Sequence, residues 1–361
     1  MRPFRLFRWR STSCCGHAEG ACQEAPPGEA HARTTRRRDF LKFAAGTAAG
    51  FAGLAAQPPA AKAQPRNFPP PPPAVSPIEG LIDFHLHSAP DAFGRAIDDD
   101  EAAMLYRDAG IEAVVLKSHV MPTADRAWLL RKHVLGAKAF GGVVLNGAAG
   151  GINPEAVQWM WRVQGSFGRV VWFPTIDADH HVKHFKDAPE GIKLLGADAK
   201  VLPAVREVLK ICAQQKLVVC TGHSAPAEAL AIAAAARDMG CERVLITHAQ
   251  FEVVNLSLEQ MMAAAAAGAK MELCAMGPMM GPTAQLPWMR AWRQVTFKES
   301  AERIKAVGAQ HFVLATDLGQ SGNPSPPDGY KMLVGGLLAE GITKDQVRLM
   351  GREVPGALLM G

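Results

Sequence analysis

Residues 81–91 read Leu81-Ile82-Asp83-Phe84-His85-Leu86-His87-Ser88-Ala89-Pro90-Asp91, and the alternation within them sets the fold. Apolar Ile82, Phe84 and Leu86 interleave with Asp83, His85 and His87. That is the period of a β-strand, whose successive side chains point to opposite faces. His85 and His87 therefore face one space at the carboxyl end of a strand. A lone His-x-His has little weight, because a strand-end imidazole is more often a satisfied polar residue than a ligand. Its weight depends on what the rest of the chain brings beside it.

Downstream, short apolar runs alternate with helical patterns. The strand expectations are Leu81–His87, Ala113–His119, Gly141–Asn146, Val170–Ile176, Leu217–His223, Arg243–His248, Lys270–Ala275 and Phe312–Asp317. Helical patterns fall at Asp99–Ala109, Thr123–Ala137, Pro154–Gln164, Leu202–Gln214, Pro226–Met239, Leu258–Ala267, Phe297–Val307 and Asp328–Glu340. The acidic run Asp98 to Glu101 suits a helix start, and Gly110, Gly240 and Gly268 each sit just past a helix end, where a left-handed residue stops it. Eight strand–helix units predict an α/β fold, a single (β/α)8 barrel of the TIM type. No Gly-x-Gly-x-x-Gly follows the first strand, which weighs against a dinucleotide fold.

Five of the eight expected strands end in residues able to bind a metal: His85 and His87, Lys117 and His119, His223, His248, and Asp317. In a barrel all carboxyl ends open on one face, where active sites are built. Imidazole nitrogens and carboxylate oxygens suit zinc and similar divalent ions. Five such ends are hard to explain as packing, since each buried imidazole needs partners.

At this point the chain resembles the amidohydrolase superfamily of metal-dependent barrel hydrolases. The resemblance rests on His85-Leu86-His87 after strand one, His223 and His248 after strands five and six, and Asp317 after strand eight. The segments Leu116-Lys117-Ser118-His119 and Thr316-Asp317-Leu318-Gly319-Gln320 look like those of a less characterised branch, and Val354-Pro355-Gly356-Ala357-Leu358-Leu359 is similar to the ending of many members. It spans residues 78–361 and implies a divalent metal, zinc by preference, as one or two ions that activate water. Asp317 is then the expected proton carrier, and His248 a second catalytic group or metal ligand. Many members carry a carboxylated lysine after strand four, but Val170 to Ile176 holds no lysine. Lys117 is the nearest candidate, either as a carboxylated ligand or as a fixed positive charge for an anion or oxyanion. His119, His180 and His181 are expected to contact substrate. Met279, Met280 and Trp288 hint at an apolar part of the pocket.

The implied reaction is hydrolysis of an amide, lactone or other ester bond of a small molecule. Rival readings are a metal-dependent decarboxylase of a small aromatic acid, a phosphoesterase, and a non-catalytic metal- or solute-binding protein. For a phosphoesterase the cationic support is thin, with Lys117 and Arg95 as the evident candidates.

The chain has 361 residues and a formal charge of +5, but the charge is uneven. Residues 1–63 hold ten Arg and Lys against four acids, leaving 29 bases and 30 acids in the remainder. A near-neutral body carries no electrostatic footprint for nucleic acid. Arg36-Arg37-Arg38-Asp39-Phe40-Leu41-Lys42, the apolar run 43–56 and Ala61-Lys62-Ala63 look like a twin-arginine signal peptide. The apolar run is short and weakly hydrophobic, so no stable membrane span is expected. Residues 1–63 are thus read as a disordered export leader, 64–77 as a proline-rich linker and 78–361 as the barrel. The expectation is periplasmic or otherwise exported, with the twin-arginine machinery and a small-molecule substrate as partners; a homo-oligomer stays open. Of seven cysteines, Cys212, Cys220, Cys241 and Cys274 lie in the body without close pairs, which excludes a disulfide framework there.

Overall fold

Each expected apolar run forms a strand: β1 Ile82–Leu86, β2 Ala113–Leu116, β3 Ala139–Val144, β4 Gly168–Trp172, β5 Val218–Cys220, β6 Val244–Ile246, β7 Lys270–Cys274 and β8 Phe312–Ala315. The computed structural model describes residues 75–361; the twin-arginine motif, the apolar run after it and residues 64–74 of the proline-rich stretch lie outside the described residues. The strands pair in parallel in the order β1 to β8. β1 and β8 close the sheet on itself, with Asp317 N donating to His85 O at 2.8 Å and His87 N donating to Leu318 O at 2.9 Å. The fold is therefore the expected (β/α)8 barrel.

The helices fill the crossovers. α1 Asp99–Asp108 follows β1, α2 Ala124–His133 follows β2 and α3 Pro154–Arg162 follows β3. α4 Asp179–Val182 and α5 Pro203–Gln215 follow β4, α6 Pro226–Asp238 follows β5, and α7 Leu258–Ala266 follows β6. α8 Phe297–Val307 follows β7, and α9 Pro326–Ala339, α10 Lys344–Arg348 and α11 Val354–Met360 follow β8. Their starts have chemical causes. Asn153 caps α3 by accepting from Glu155 N at 3.0 Å, and Ser257 accepts from Gln260 N at 3.2 Å while Gln260 Oε1 accepts from Ser257 N at 2.8 Å. The helix-terminating glycines Gly110, Gly240 and Gly268 all have left-handed φ. No described helix is long and apolar enough to cross a membrane.

Several boundaries differ from expectation. α2 stops at His133 rather than Ala137, because Val134 is already extended and Leu135, the apolar residue that prolonged the pattern, is 90% exposed. β4 stops at Trp172; Pro174 cannot donate to a ladder, and its carbonyl instead receives the N–H of His223 at 2.9 Å. The segment after β4 that carries His180 and His181 folds in part as the single turn α4. Lys117, His119, His223, His248 and Asp317 all lie just past the last ladder residue of their strands.

Two buried polar clusters hold the carboxyl end together. Asp83 Oδ1 accepts from the backbone N–H groups of His85 (3.1 Å) and Thr316 (2.8 Å), while Oδ2 accepts from Thr316 Oγ1 (2.6 Å) and the Tyr106 hydroxyl. This carboxylate staples β1 to the end of β8. Arg126 on α2 makes a two-pronged pair with Asp99 on α1 (2.6 and 2.8 Å) and donates to Ser88 O at 2.9 Å, which fixes the loop leaving β1. Burial pushes the Asp83 carboxyl up to about 6, against the hydrogen bonds from Thr316 and Tyr106 that lower it. Asp83→Ala would leave the fixed backbone N–H groups of His85 and Thr316 without this acceptor, at about 1–2 kcal/mol each, whereas Thr316 Oγ1 still has His85 O within 3.2 Å. Its urea midpoint should fall by the equivalent of about 2–4 kcal/mol; a loss below about 1 kcal/mol would show that water or neighbouring groups take over these bonds.

Candidate metal centre

His85 and His87, one strand period apart, reach the same point as Asp317 from β8. His85 Nε2 lies 3.2 Å from His87 Nε2 and 3.1 Å from Asp317 Oδ1, and His87 Nε2 lies 3.3 Å from the same oxygen. All three side chains are buried. Asp317 and His248 adopt left-handed φ of 55° and 49°, an unusual conformation for residues with a side chain and one concentrated at functional sites. Directly after Asp317 comes Leu318, then Gly319 with φ of 120°, where a Cβ would sit 1.6 Å from His87 O. Only glycine lets β8 turn away so close to His87.

Glu272, in the middle of β7, decides how these rings are oriented. Oε1 lies 3.0 Å from His85 Nδ1; Oε2 accepts from His248 N at 3.0 Å and lies 3.2 Å from His248 Nδ1. Burial pushes the Glu272 carboxyl up, but His85 and His248 outweigh it and hold the group well below the usual range. An ionised carboxylate only accepts, so the protons of both rings sit on Nδ1 and the Nε2 lone pairs point into the site. Cys274 Sγ, 3.5 Å from His248 Nδ1, completes this lower cluster as a thiol, since burial raises it well above the ordinary value. The lower cluster is satisfied by its own hydrogen bonds.

The upper trio has a single proton among its three facing atoms, on His87 Nε2, because His87 Nδ1 accepts from Arg95. With its proton committed to Glu272, His85 Nε2 brings a lone pair to within 3.1 Å of another acceptor, Asp317 Oδ1. A shared cation makes such a contact favourable. Tetrahedral bonds of about 2.0–2.1 Å set ligand atoms about 3.3–3.4 Å apart, close to the three separations observed. His85, His87 and Asp317 therefore fit a divalent ion. Lys117 is 1% exposed, and its Nζ lies 3.0 Å from the same His85 Nε2. Burial lowers its pKa, against the raising influence of Asp317 and Glu272. Arg95, held by two bonds of 2.8 and 2.9 Å to Asp91, also donates to His87 Nδ1 at 3.2 Å. An ion on His87 Nε2 would move the ring proton to Nδ1, and that contact would then open while the Asp91 pair stays.

The remaining expected residues divide. His248 stacks on His85 with centroids 5.1 Å apart, and its Nε2 lies 3.5 Å from Asp317 Oδ2. His223 lies apart from the trio and meets His181 of α4, Nδ1 to Nδ1 at 3.0 Å. His119 stacks on His87 at 4.9 Å, and its Nδ1 lies 2.8 Å from Thr175 Oγ1, which receives Asn146 Nδ2 at 2.9 Å. His180 packs edge-on against His184 and does not line the cavity. Burial holds His85 below the ordinary imidazole range and His87, His119 and His223 well below it; His181 falls to about 4.

Above this floor opens a cavity of about 850 Å³, counted out to its mouth. Its walls are apolar and aromatic, with Phe185, Phe251, Met276, Met280, Trp288 and Trp292. Of the expected apolar trio, Met280 and Trp288 line it, whereas Met279 packs against the core. Glu272 escaped the sequence reading. Its signal was an acid flanked by Met271 and Leu273 in a run otherwise fit for burial.

Fold and site together define a (β/α)8 barrel with a buried histidine–carboxylate cluster at its carboxyl mouth. The chain belongs to DUF6282, a family of unknown function whose profile matches residues 80–272. Among solved structures it is similar to an amidohydrolase from Pseudomonas aeruginosa, at 12% identity and TM-score 0.52, covering 79% of this chain and 96% of that one. It is also similar to a triple mutant of an organophosphorus hydrolase from Deinococcus radiodurans, at 14% identity and TM-score 0.50, covering 79% and 94%. A single-residue mutant of the same hydrolase gives 16% identity and TM-score 0.50 over the same shares. At these identities the likeness establishes the barrel alone. Comparison with curated proteins gives no match.

The buried imidazoles make folding depend on pH. A histidine kept neutral in the fold but protonated near 6.5 once unfolded contributes stability that is complete above that pH and is lost as pH falls. His85, His87, His119, His181 and His223 all act in this direction. Asp83, raised to about 6, acts oppositely on the way down to its ordinary 3.8. Five groups against one predict a lower melting temperature for the metal-free chain at pH 5 than at pH 7.5. Equal melting temperatures would show that these rings are hydrated in solution.

Proposed function

We propose that the chain is a metal-dependent hydrolase acting on the ester, lactone or amide bond of a small, neutral, largely apolar molecule. The observation that carries this reading is the trio of His85, His87 and Asp317, whose donor atoms crowd within 3.3 Å of one another. Those residues would hold the ion, and their two nitrogens and one carboxylate suit zinc. A divalent ion there supplies Lewis acidity and makes coordinated water more acidic. Asp317 takes the proton of the attacking water and returns it to the leaving atom. His248, on the far side of the same carboxylate, orients it. Thr175 Oγ1 already receives an N–H from Asn146 and keeps its own proton for His119 Nδ1, so His119 presents Nε2–H to the cavity. That donor stabilises the oxygen on which charge develops.

Lys117 fits this reading as a carboxylated residue. Its ammonium competes for the lone pair on His85 that the ion needs. Burial favours the neutral amine, which can add carbon dioxide, forming an N–C bond and releasing the amine proton. The carbamate replaces a positive charge by an anionic oxygen donor. Lys117 Nζ lies over the Trp172 ring, 5.8 Å from its centroid.

The rival reactions are less well supported. Arg95 is committed to Asp91, which leaves little free cationic support in the wall for an aromatic carboxylate or a phosphate. An open cavity reaching Asp317 speaks against a purely metal-storing role. Export through the twin-arginine pathway, guided by Arg37-Arg38, is part of the proposal, with the enzyme periplasmic or otherwise exported.

Neutral aryl esters and lactones should be turned over, while the matching carboxylates and phosphate monoesters should not. A chelator should abolish turnover and zinc restore it. Asp317→Asn should lower kcat by about 10²–10⁴-fold; near-normal kcat with metal retained would sink the assigned proton transfer. Lys117→Met should lose activity and regain part of it with a short carboxylic acid. Lys117→Arg should not respond to the acid; substantial activity in that variant would identify the lysine as a plain positive charge instead.

A further inference from the structure

Three strand ends share one chain of hydrogen bonds behind the cavity wall. His119 follows β2, Asn146 follows β3 and Thr175 follows β4. Asn146 and Thr175 are fully buried and do not line the cavity, whereas His119 does. Thr175 N donates to Asn146 Oδ1 at 2.8 Å. A backbone N–H can only donate, so this bond settles which way the amide faces and leaves Nδ2 with two hydrogens to give. They go to His119 O at 3.0 Å and to Thr175 Oγ1 at 2.9 Å. The same hydroxyl lies 2.8 Å from His119 Nδ1. His87 stacked on the His119 ring and Phe93 edge-on to it keep that ring in place.

The hydroxyl has one proton to place. Were His119 Nδ1 to carry a hydrogen, Thr175 Oγ1 would accept twice, and among the described residues its own hydrogen would be buried with no acceptor. With the hydroxyl donating to Nδ1, every hydrogen in the chain is met. The direction of the whole chain comes from Asn146. An aspartate there would still accept from Thr175 N, but it would accept from the hydroxyl as well. Thr175 would then offer His119 a lone pair, the ring proton would sit on Nδ1, and a bare Nε2 would face the cavity.

We propose that Asn146 is a positioning residue that sets the polarity of the cavity wall: acting through Thr175, it holds His119 as a hydrogen-bond donor, so that the wall recognises an acceptor oxygen. That this oxygen is the carbonyl of an ester, lactone or amide rests on the hydrolase reading; the tautomer does not.

The test reads the ring directly. The zinc-loaded full chain, labelled with nitrogen-15 in its histidine rings, is examined by long-range proton–nitrogen NMR at pH 7.5, with His119→Gln to assign the signals. Wild type and Thr175→Ser should show the proton on His119 Nε2. Asn146→Asp, recorded also at pH 9 so that the new acid is ionised, should move it to Nδ1, and Thr175→Val should give both tautomers. On the neutral aryl esters, Asn146→Asp should lower kcat by about 10²-fold with KM little changed, while Thr175→Ser stays near wild type. A wild-type proton on Nδ1, or a proton still on Nε2 in Asn146→Asp at pH 9, overturns the proposal. Absence of ester turnover in wild type overturns the hydrolase reading, and the NMR signals still decide the part played by Asn146. Circular dichroism identifies folded variants; Asn146→Ala, expected to show both tautomers, serves if the aspartate variant does not fold, and a proton held on Nε2 in it overturns the proposal equally.

Discussion

The whole site hangs on the closure of the barrel between β1 and β8. Ladder bonds from Asp317 N to His85 O and from His87 N to Leu318 O join the first strand to the last. Asp83 reinforces the seam by accepting from both sides of it, through His85 N and through Thr316. His85 and His87, distant in the chain from Asp317, thereby come within 3.1 and 3.3 Å of its carboxylate. The tight geometry follows from backbone hydrogen bonds rather than from flexible side chains, so the trio is held in place by the barrel itself. A preformed site of this kind avoids the ordering cost that a loop-built site meets on binding.

Electrostatics explains why the cluster does not simply collapse into hydrogen bonds. Glu272 removes the protons of two imidazoles from consideration by receiving both, and so turns the upper face of the cluster into a set of acceptors. In a buried environment such crowding is costly unless something positive is shared. Lys117 and Arg95 approach that position, at His85 Nε2 and His87 Nδ1 respectively. Each contact has an alternative. Arg95 can fall back on Asp91, and burial favours the neutral form of Lys117. The two basic residues thus mark the place where positive charge belongs, without being bound to stay there.

Much of this was legible in the sequence. Period-two alternation placed His85 and His87 on one face, and eight strand–helix units placed Asp317, His223, His248 and Lys117 at one mouth. What alternation cannot supply is which of those mouth residues touch. His223 and Asp317 are equivalent by topology, yet the first meets His181 and the second meets His85, because contact depends on how far each chain runs beyond its last ladder bond. His181 was expected as a substrate contact, but its meeting with His223 was hidden for the same reason: a one-turn helix has no periodicity to detect. Glu272 was hidden differently. It sits mid-strand rather than at a strand end, so a search confined to the mouth passed over it, although an acid between Met271 and Leu273 is itself unusual in a buried strand.

The contrast between floor and wall narrows the chemistry further than the donor atoms do. The floor is polar and buried, whereas Trp288, Trp292, Phe185, Phe251, Met276 and Met280 make the wall a place that an ionised molecule would enter only by giving up its hydration. An apolar body gains there, at about 0.8 kcal/mol for each methylene removed from water. Under the proposed reading, binding energy of that kind, available far from the reacting bond, would hold the bond over Asp317 and His119. The same wall excludes bulk water from the floor once occupied, which strengthens every charge interaction beneath it. Under the proposed reading, a neutral substrate with one polar, cleavable bond would satisfy both halves of the cavity at once, and a charged one only the floor.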